Sequence, residues 1–222
     1  MSKNSSNLFY LGVFLCLVCA AAAAIMGSAA VLTREPIEKA KVKKVSDGLR
    51  EVLPAFDNDP MKDSSKVGDV LLYHAKKDGK TVGFAAETSV SSGYGGRIKA
   101  LISFHPDGSI RTFIVTDHKE TPGLGSQAVD RVRKKTLSDL IRGEKEPEGL
   151  APNRILDQYA GHSGVKTAKD AWKRPWKLKK DGGDAEHVPG ATISSRAVNE
   201  LAWKAAAAFE KYQASLKEGK SK

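Results

Sequence analysis

Arg97-Ile98-Lys99-Ala100-Leu101-Ile102-Ser103-Phe104-His105-Pro106-Asp107-Gly108-Ser109-Ile110-Arg111-Thr112-Phe113-Ile114-Val115 decides the fold. Two runs rich in Ile, Leu, Phe and Val flank His105-Pro106-Asp107-Gly108-Ser109, where Pro presets one corner and Asp-Gly permits the next, so the segment reads as two antiparallel strands and a turn. The arrangement occurs once more upstream. Residues 70–75 and 81–86 flank Lys77-Asp78-Gly79-Lys80, again with Asp-Gly between apolar runs. Four strands in two hairpins predict an antiparallel sheet with a face to be covered by helices, an α+β fold.

Two helices are predicted to cover it. Residues 127–142 carry Ala128, Val129, Val132, Leu137, Leu140 and Ile141 on one side of a charged segment, with Ser126 placed to cap it. Residues 194–216 are clearer: Val198, Leu201, Ala202, Ala205, Phe209, Tyr212 and Leu216 recur every three or four positions, a core-facing stripe. Between them residues 154–180 are less regular, with Trp172 and Trp176 as expected buried anchors.

The amino-terminal end is of another kind. Residues 9–32 contain no charged side chain, and about 25 apolar positions at ~1.5 Å each span a bilayer's hydrocarbon core with tilt to spare. The run is long for the apolar part of a cleaved signal peptide, so a retained transmembrane helix is expected, although the alanines at 20–24 are small enough for cleavage. Cys16 and Cys19, the two cysteines, lie inside it, which excludes a disulfide framework or thiol-bound metal from the rest of the chain. Beyond it, Ile37, Val42, Val45, Leu49 and Val52 with interleaved Lys and Glu predict an amphipathic helix ending near Pro54, then a turn-rich interval over 57–68.

The chain carries a formal net charge of +10, with Arg34, Lys39, Lys41, Lys43 and Lys44 close behind the apolar run. With no basic helix or aromatic-interleaved patch, this points to a solvated surface beside anionic lipid and not to nucleic acid. The positive-inside tendency alone would put the following domain in the cytoplasm, but it weakens where a long domain must be translocated. The five histidines show no metal-ligand spacing, and no G-x-S-x-G elbow supports a hydrolytic nucleophile.

Three glycine-bearing loops remain: Gly93-Tyr94-Gly95-Gly96, Glu120-Thr121-Pro122-Gly123-Leu124-Gly125 and Gly190-Ala191-Thr192-Ile193-Ser194-Ser195. None fits a dinucleotide fingerprint or a P-loop. Singly they read as a bulge, a strand-to-helix turn and a helix cap. The start of a helix at Thr192 also offers free N–H groups and the positive end of the helix dipole to a phosphate.

Together, in this order, with the single anchor and Leu178-Lys179-Lys180-Asp181-Gly182-Gly183, these loops resemble the FMN-binding domain of the G subunit of the Rnf membrane electron-transport complex. The related C subunit of the sodium-pumping NADH:quinone reductase is the near alternative. The resemblance covers essentially the whole chain. It implies an anchor at residues 1–33, a helical stalk at 34–66, an FMN-binding domain at 67–216 and a tail at 217–222. It further implies that the Thr192 hydroxyl carries FMN covalently, as a phosphoester placed by a flavin transferase using FAD. Gly190, Ala191, Ile193, Ser194 and Ser195 would surround that bond, and Glu120, Thr121, Pro122, Gly123, Leu124, Tyr94 and Gly95 would lie near the flavin. Attachment through the phosphate leaves the isoalloxazine ring free for redox chemistry, for which the protein sets position and potential.

The expected protein is thus an electron carrier with other Rnf membrane subunits as partners. Its place is the inner membrane, single-pass, with the soluble domain on the periplasmic side, in a complex exchanging electrons between ferredoxin and NAD while moving an ion. The departures from the family pattern are at Glu186, where a shorter acidic residue is usual, and at Pro189, where a Ser or Thr is usual. Ser194 and Ser195 are the alternative hydroxyls. An anchored binding module without a redox group is the alternative of a different class.

Overall fold

The computed structural model describes residues 3–132, 149–162 and 176–219, with side chains between residues 9 and 217 of these. The chain divides into two compact units, Met1–Val45 and Ser46–Lys222. Helix α1 runs from Lys3 to Val52, with Pro36 inside it. The apolar run and the amphipathic stretch that follows it belong to this one helix. Proline removes one rung of the helical ladder, but the helix is held on its far side by good helix formers and by the pairs Lys39–Glu35 (2.6 Å) and Lys41–Glu38 (2.8 Å).

The apolar part of α1 is exposed throughout, and its most apolar 18-residue window has a mean hydropathy of 2.5, long and apolar enough to cross a membrane. Its hydroxyls are turned inward: Ser28 Oγ donates to the Ala24 carbonyl (2.6 Å) and Thr33 Oγ1 to that of Ala29 (2.8 Å). Such bonds satisfy polar groups where lipid offers no partner.

In the second unit five strands form one antiparallel meander: β1 (Ser64–Val67), β2 (Val70–Lys77), β3 (Lys80–Gly93), β4 (Gly96–Phe104) and β5 (Ile110–Asp117). The four predicted strands are β2 to β5. The two predicted hairpins are joined into one sheet, because β3 extends to Gly93 and pairs along its length with β4, closing a further hairpin at Tyr94-Gly95. Residues 87–93 are too polar to read as strand, yet Thr88 and Val90 are buried in alternation. The short edge strand β1 lies in the stretch read as turns.

Both faces of the sheet are covered. The row Leu72, Ala86, Ile102 and Phe113, paired across four strands, belongs to the core beneath the long terminal helix, Thr192–Gly219. There Phe209 stacks on Phe104 (centroids 4.7 Å, planes 2° apart) and meets Phe84 edge-on (5.0 Å). On the opposite face the Gly48 backbone sits against Leu101 and Ile114, so close that an added Cβ would lie 2.9 Å from Leu101 Cδ1. Leu49, Val52 and Leu53 are buried beside it. The predicted stripe of the terminal helix holds through Phe209, Tyr212 is half-buried, and Leu216 is exposed beyond the sheet's edge.

The other predicted helix is cut short. Helix α2 is Ser126–Val129, because Asp130 turns to extended backbone (φ −87°, ψ 136°), and Val132 is left 64% exposed. Ser126 is the first helical residue and not the cap; its hydroxyl accepts from the Gly123 N–H (2.8 Å). Leu137, Leu140, Ile141 and Trp172 fall outside the described residues. Trp176 is half-buried and stacks on the fully buried Tyr159. Within the interval read as irregular, helix α3 (Arg154–Asp157) is capped by Asn153, whose side chain accepts from Ile155 and Leu156 N–H. The terminal helix is α4.

Candidate functional site

The approach to α4 is a tight turn. The Ala191 N–H donates to the Val188 carbonyl (3.0 Å), with Pro189 at the first corner and Gly190 at the second with φ 83°. A positive φ after proline is the geometry of a type II turn, where proline presets one corner and glycine avoids the Cβ penalty at the next. Pro189 therefore has a conformational role of its own in this turn.

Ser195 staples the turn to the helix. Its Oγ accepts from the Val188 N–H (3.1 Å) and donates to the Ala191 carbonyl (2.9 Å), and its own N–H makes the first helical bond to Ala191 (3.0 Å). Ser194 is equally engaged, donating to Glu120 Oε2 at 2.6 Å. Both serines are buried. Thr192 is half-buried, and its hydroxyl makes no side-chain hydrogen bond among the described residues. Helix geometry leaves the N–H groups of Thr192, Ile193 and Ser194 without an i−4 acceptor.

Glu120 joins the three glycine loops. Its side chain is buried, with Oε2 held by Ser194 and Oε1 accepting from the Gly95 N–H at 3.2 Å. The glycines are those the carboxylate requires. A Cβ on Gly93 would lie 2.6 Å from Glu120 Oε1, one on Gly125 would collide with Oε2 and stand 2.7 Å from Ser194 Oγ, and one on Gly95 would overlap the Lys119 carbonyl. Behind the carboxylate, the Glu120 N–H donates to His118 Nδ1 (3.2 Å), so His118 Nε2 carries the proton and donates to Asp130 Oδ1 (2.7 Å). Around this junction each loop presents an exposed apolar side chain: Tyr94 (70% exposed), Leu124 (50%) and Ile193 (48%). Leu124 lies against Gly190, 3.7 Å from where a Cβ would stand.

A model of the FMN-binding domain family matches residues 93–207, a span that begins at the first glycine loop and ends within α4. The chain is 31% identical to the G subunit of the ion-translocating oxidoreductase complex of Cereibacter sphaeroides over 92% of its own length and 85% of that protein's. It is 34% identical to the protein of that name from Stutzerimonas stutzeri (85% and 75% of the two chains) and 30% identical to that of Haemophilus influenzae (75% and 73%). The chain belongs to the FMN-binding domain family.

The residues present fit FMN. A cavity of about 480 Å³ borders the turn before α4, with Gln127, Asp130, Asn153, His187 and Pro189 among its walls. At the start of α4 the Thr192 hydroxyl, without a side-chain hydrogen bond among the described residues, and the first-turn N–H groups suit a phosphate. Tyr94, Leu124 and Ile193, one exposed apolar side chain on each loop, are of the kind that suits a planar ring.

Supports of this FMN-binding domain lie one layer out. The predicted Leu178-to-Gly183 segment forms a 3₁₀ turn at Lys179–Asp181, ended by Gly182 in the left-handed region. Gly183 runs so close to the Lys177 backbone that a Cβ has no room. Arg196 of α4 clasps Asp181 with two hydrogen bonds (2.8 and 2.7 Å), which holds the Asp181 carboxyl below its usual range. Glu186 pairs with Lys179 and more loosely with Arg154 (3.4 Å), and its hydrogen bond with Lys179 keeps its carboxyl likewise low. Its N–H donates to Gln158 Oε1 (2.6 Å), which ties the strand entering the turn to α3.

Sequence reasoning missed two side chains that hold the loop after Glu120. Asn153 Nδ2 donates to the Gln127 and Asp130 carbonyls (3.2 and 2.7 Å). Arg131 donates to the carbonyls of Phe113 and Ala151 and to Asp157 Oδ1 (2.6 Å). Pro152-Asn153 ahead of an apolar pair is a cap signal that could have found the first. Nothing local marks the second.

Proposed function

We propose that this chain is a membrane-anchored electron-carrier subunit of an ion-translocating oxidoreductase complex, with FMN joined through its phosphate to the Thr192 hydroxyl. The observation that carries the reading is the junction at Glu120, which gathers the three glycine loops, engages Ser194, and leaves Thr192 as the uncommitted hydroxyl at the start of α4. The name shared by the relatives supplies the assembly, and the exposed apolar run of α1 supplies the membrane attachment.

FMN, once bound, supplies the redox chemistry, accepting and returning electrons at its ring. The chain holds it. Thr192 would anchor the phosphate, and the N–H groups of the first turn of α4 would stabilise its remaining negative charge. Tyr94, Leu124 and Ile193 would cover a ring face, and backbone groups of residues 121–124 would meet its polar edge. The phosphoester requires a flavin transferase: a bond forms between Thr192 Oγ1 and the flavin-side phosphorus of FAD, the pyrophosphate bridge breaks, AMP leaves, and the hydroxyl proton passes to a base of the transferase. The chain spans the membrane once and its second unit lies on the periplasmic side, where that transferase and the neighbouring membrane subunits would meet it. The residue limits proposed are an anchor at 1–33, a stalk at 34–66 and an FMN-binding domain at 67–216.

Co-expression with a flavin transferase, followed by denaturing electrophoresis under ultraviolet light, tests this. Fluorescence that migrates with the polypeptide and disappears in Thr192→Ala is expected. A non-fluorescent band would leave an anchored binding module as the better account.

A further inference from the structure

Glu120 has an unusual setting for a carboxylate. It is 6% exposed, and no Lys or Arg pairs with it among the described residues. A buried charge is tolerated when hydrogen bonds replace its lost water, and here both bonds go to distant segments, 25 and 74 residues away. A glycine stands on either side, Gly93 against Oε1 and Gly125 against Oε2, so the backbone is shaped around the carboxyl group. An apolar side chain would fill this space at lower electrostatic cost. What a carboxylate adds is two acceptors aimed in different directions, one at the Gly95 N–H and one at the Ser194 hydroxyl.

Ser194 is two residues beyond Thr192, in the same helical turn. Its bond to Glu120 therefore has two effects. It fixes the first turn of α4 to the loops at Tyr94 and Leu124, and it keeps the Ser194 hydroxyl turned into the buried interior, away from a phosphate donor that the half-buried Thr192 can meet. Ser195 is occupied separately, by Val188 and Ala191. We infer that Glu120 is a positioning residue for flavin attachment, a latch that holds the attachment turn against the flavin-facing loops and, by engaging Ser194, leaves Thr192 as the acceptor hydroxyl. The inference rests on FMN attachment at Thr192 as proposed above.

The latch is a matter of acceptors and geometry, so a side chain of the same shape should replace it. In Glu120→Gln the amide oxygen can accept from Gly95 and the amide N–H can donate to Ser194 Oγ, because a serine hydroxyl serves in either sense. Glu120→Ala loses both bonds.

The test uses the full chain in detergent, purified without flavin, then supplied with purified transferase and FAD. Expected are a kcat for loading that falls about tenfold or more in Glu120→Ala, as small misplacements of a reacting group do, with KM for the acceptor chain little changed. In Glu120→Gln the rate should stay within about threefold of the parent, a difference no larger than one hydrogen bond's worth. A second readout needs no flavin: amide exchange in peptides covering residues 93–96 and 188–195 should rise together in Glu120→Ala and stay at the parent level in Glu120→Gln. Parental loading and exchange in Glu120→Ala would overturn the latch, as would a Gln variant that loads as slowly as Ala while its exchange is native. If the parent itself takes up no FMN, the proposed attachment fails, and coupled exchange at the two loops then decides the latch alone.

Discussion

Ser195 and Gly95 show how little freedom single residues have at this junction. Ser195 satisfies the buried Val188 N–H, so Ser195→Ala leaves that donor without an acceptor. The expected loss is about 1–3 kcal/mol of stability, read by chemical denaturation of the full chain in detergent; an unchanged midpoint would mean that the hydroxyl does not hold the turn. Gly95→Ala places a methyl group on the Lys119 carbonyl. Either the hairpin tip or the loop at Glu120 must shift, at about 1–3 kcal/mol for overpacking, and flavin loading should suffer beyond the stability loss, because the Gly95 N–H moves off Glu120. Loading unchanged in this variant would separate the hairpin tip from the site. That a hydroxyl cluster follows Gly190-Ala191 is legible in the sequence. Which hydroxyl is free is not, because the groups that occupy Ser194 and Ser195 come from residue 120 and from the turn's own backbone.

At the scale of elements, the strands on either side of an Asp-Gly turn and the stripe of α4 were legible because their periods are set by one buried face. Strand β3 beyond residue 86 and the edge strand β1 were not, since their polar side chains alternate only weakly and their strand character comes from pairing with neighbours. The truncation of α2 at Val129 was hidden for a similar reason: Asn153 takes the Asp130 carbonyl that follows, Arg131 reaches the Phe113 carbonyl, and both act across long stretches of chain. The packing of α4 on the sheet also predicts a pH dependence. His74 lies among Phe84 (5.4 Å) and Tyr212 (5.3 Å), and burial holds its pKa below the ordinary histidine value, against the pull of Asp63. The folded state thus favours neutral His74, and its contribution is present above about pH 6.5 and lost as pH falls through the lowered value. Asp63, kept low mainly by its hydrogen bond to Lys76, adds a further loss only below about pH 4. Melting temperature should therefore drop between pH 7 and pH 5, and His74→Leu should flatten that limb; an equally steep limb in the variant would assign it to other groups.

The whole molecule combines an exposed apolar helix with a domain whose glycine loops meet at the Glu120 carboxylate. The apolar run was evident from composition, as was the order of the glycine loops, and the junction that unites them required the fold. Placement across the membrane has its own test. A reporter fused after Lys222 that is active only outside the cytoplasm should be active, and activity of a cytoplasm-only reporter in its place would reverse the proposed orientation. The central claim is attachment at Thr192, and the most direct measurement is tandem mass spectrometry of the peptide containing residues 188–196, taken from full-length chain matured with its transferase. Attachment as proposed predicts FMN, less the elements of water, on Thr192 and on no other residue of that peptide. FMN on Ser194 or Ser195, or an unmodified peptide from chain that nevertheless carries covalent flavin, would contradict it.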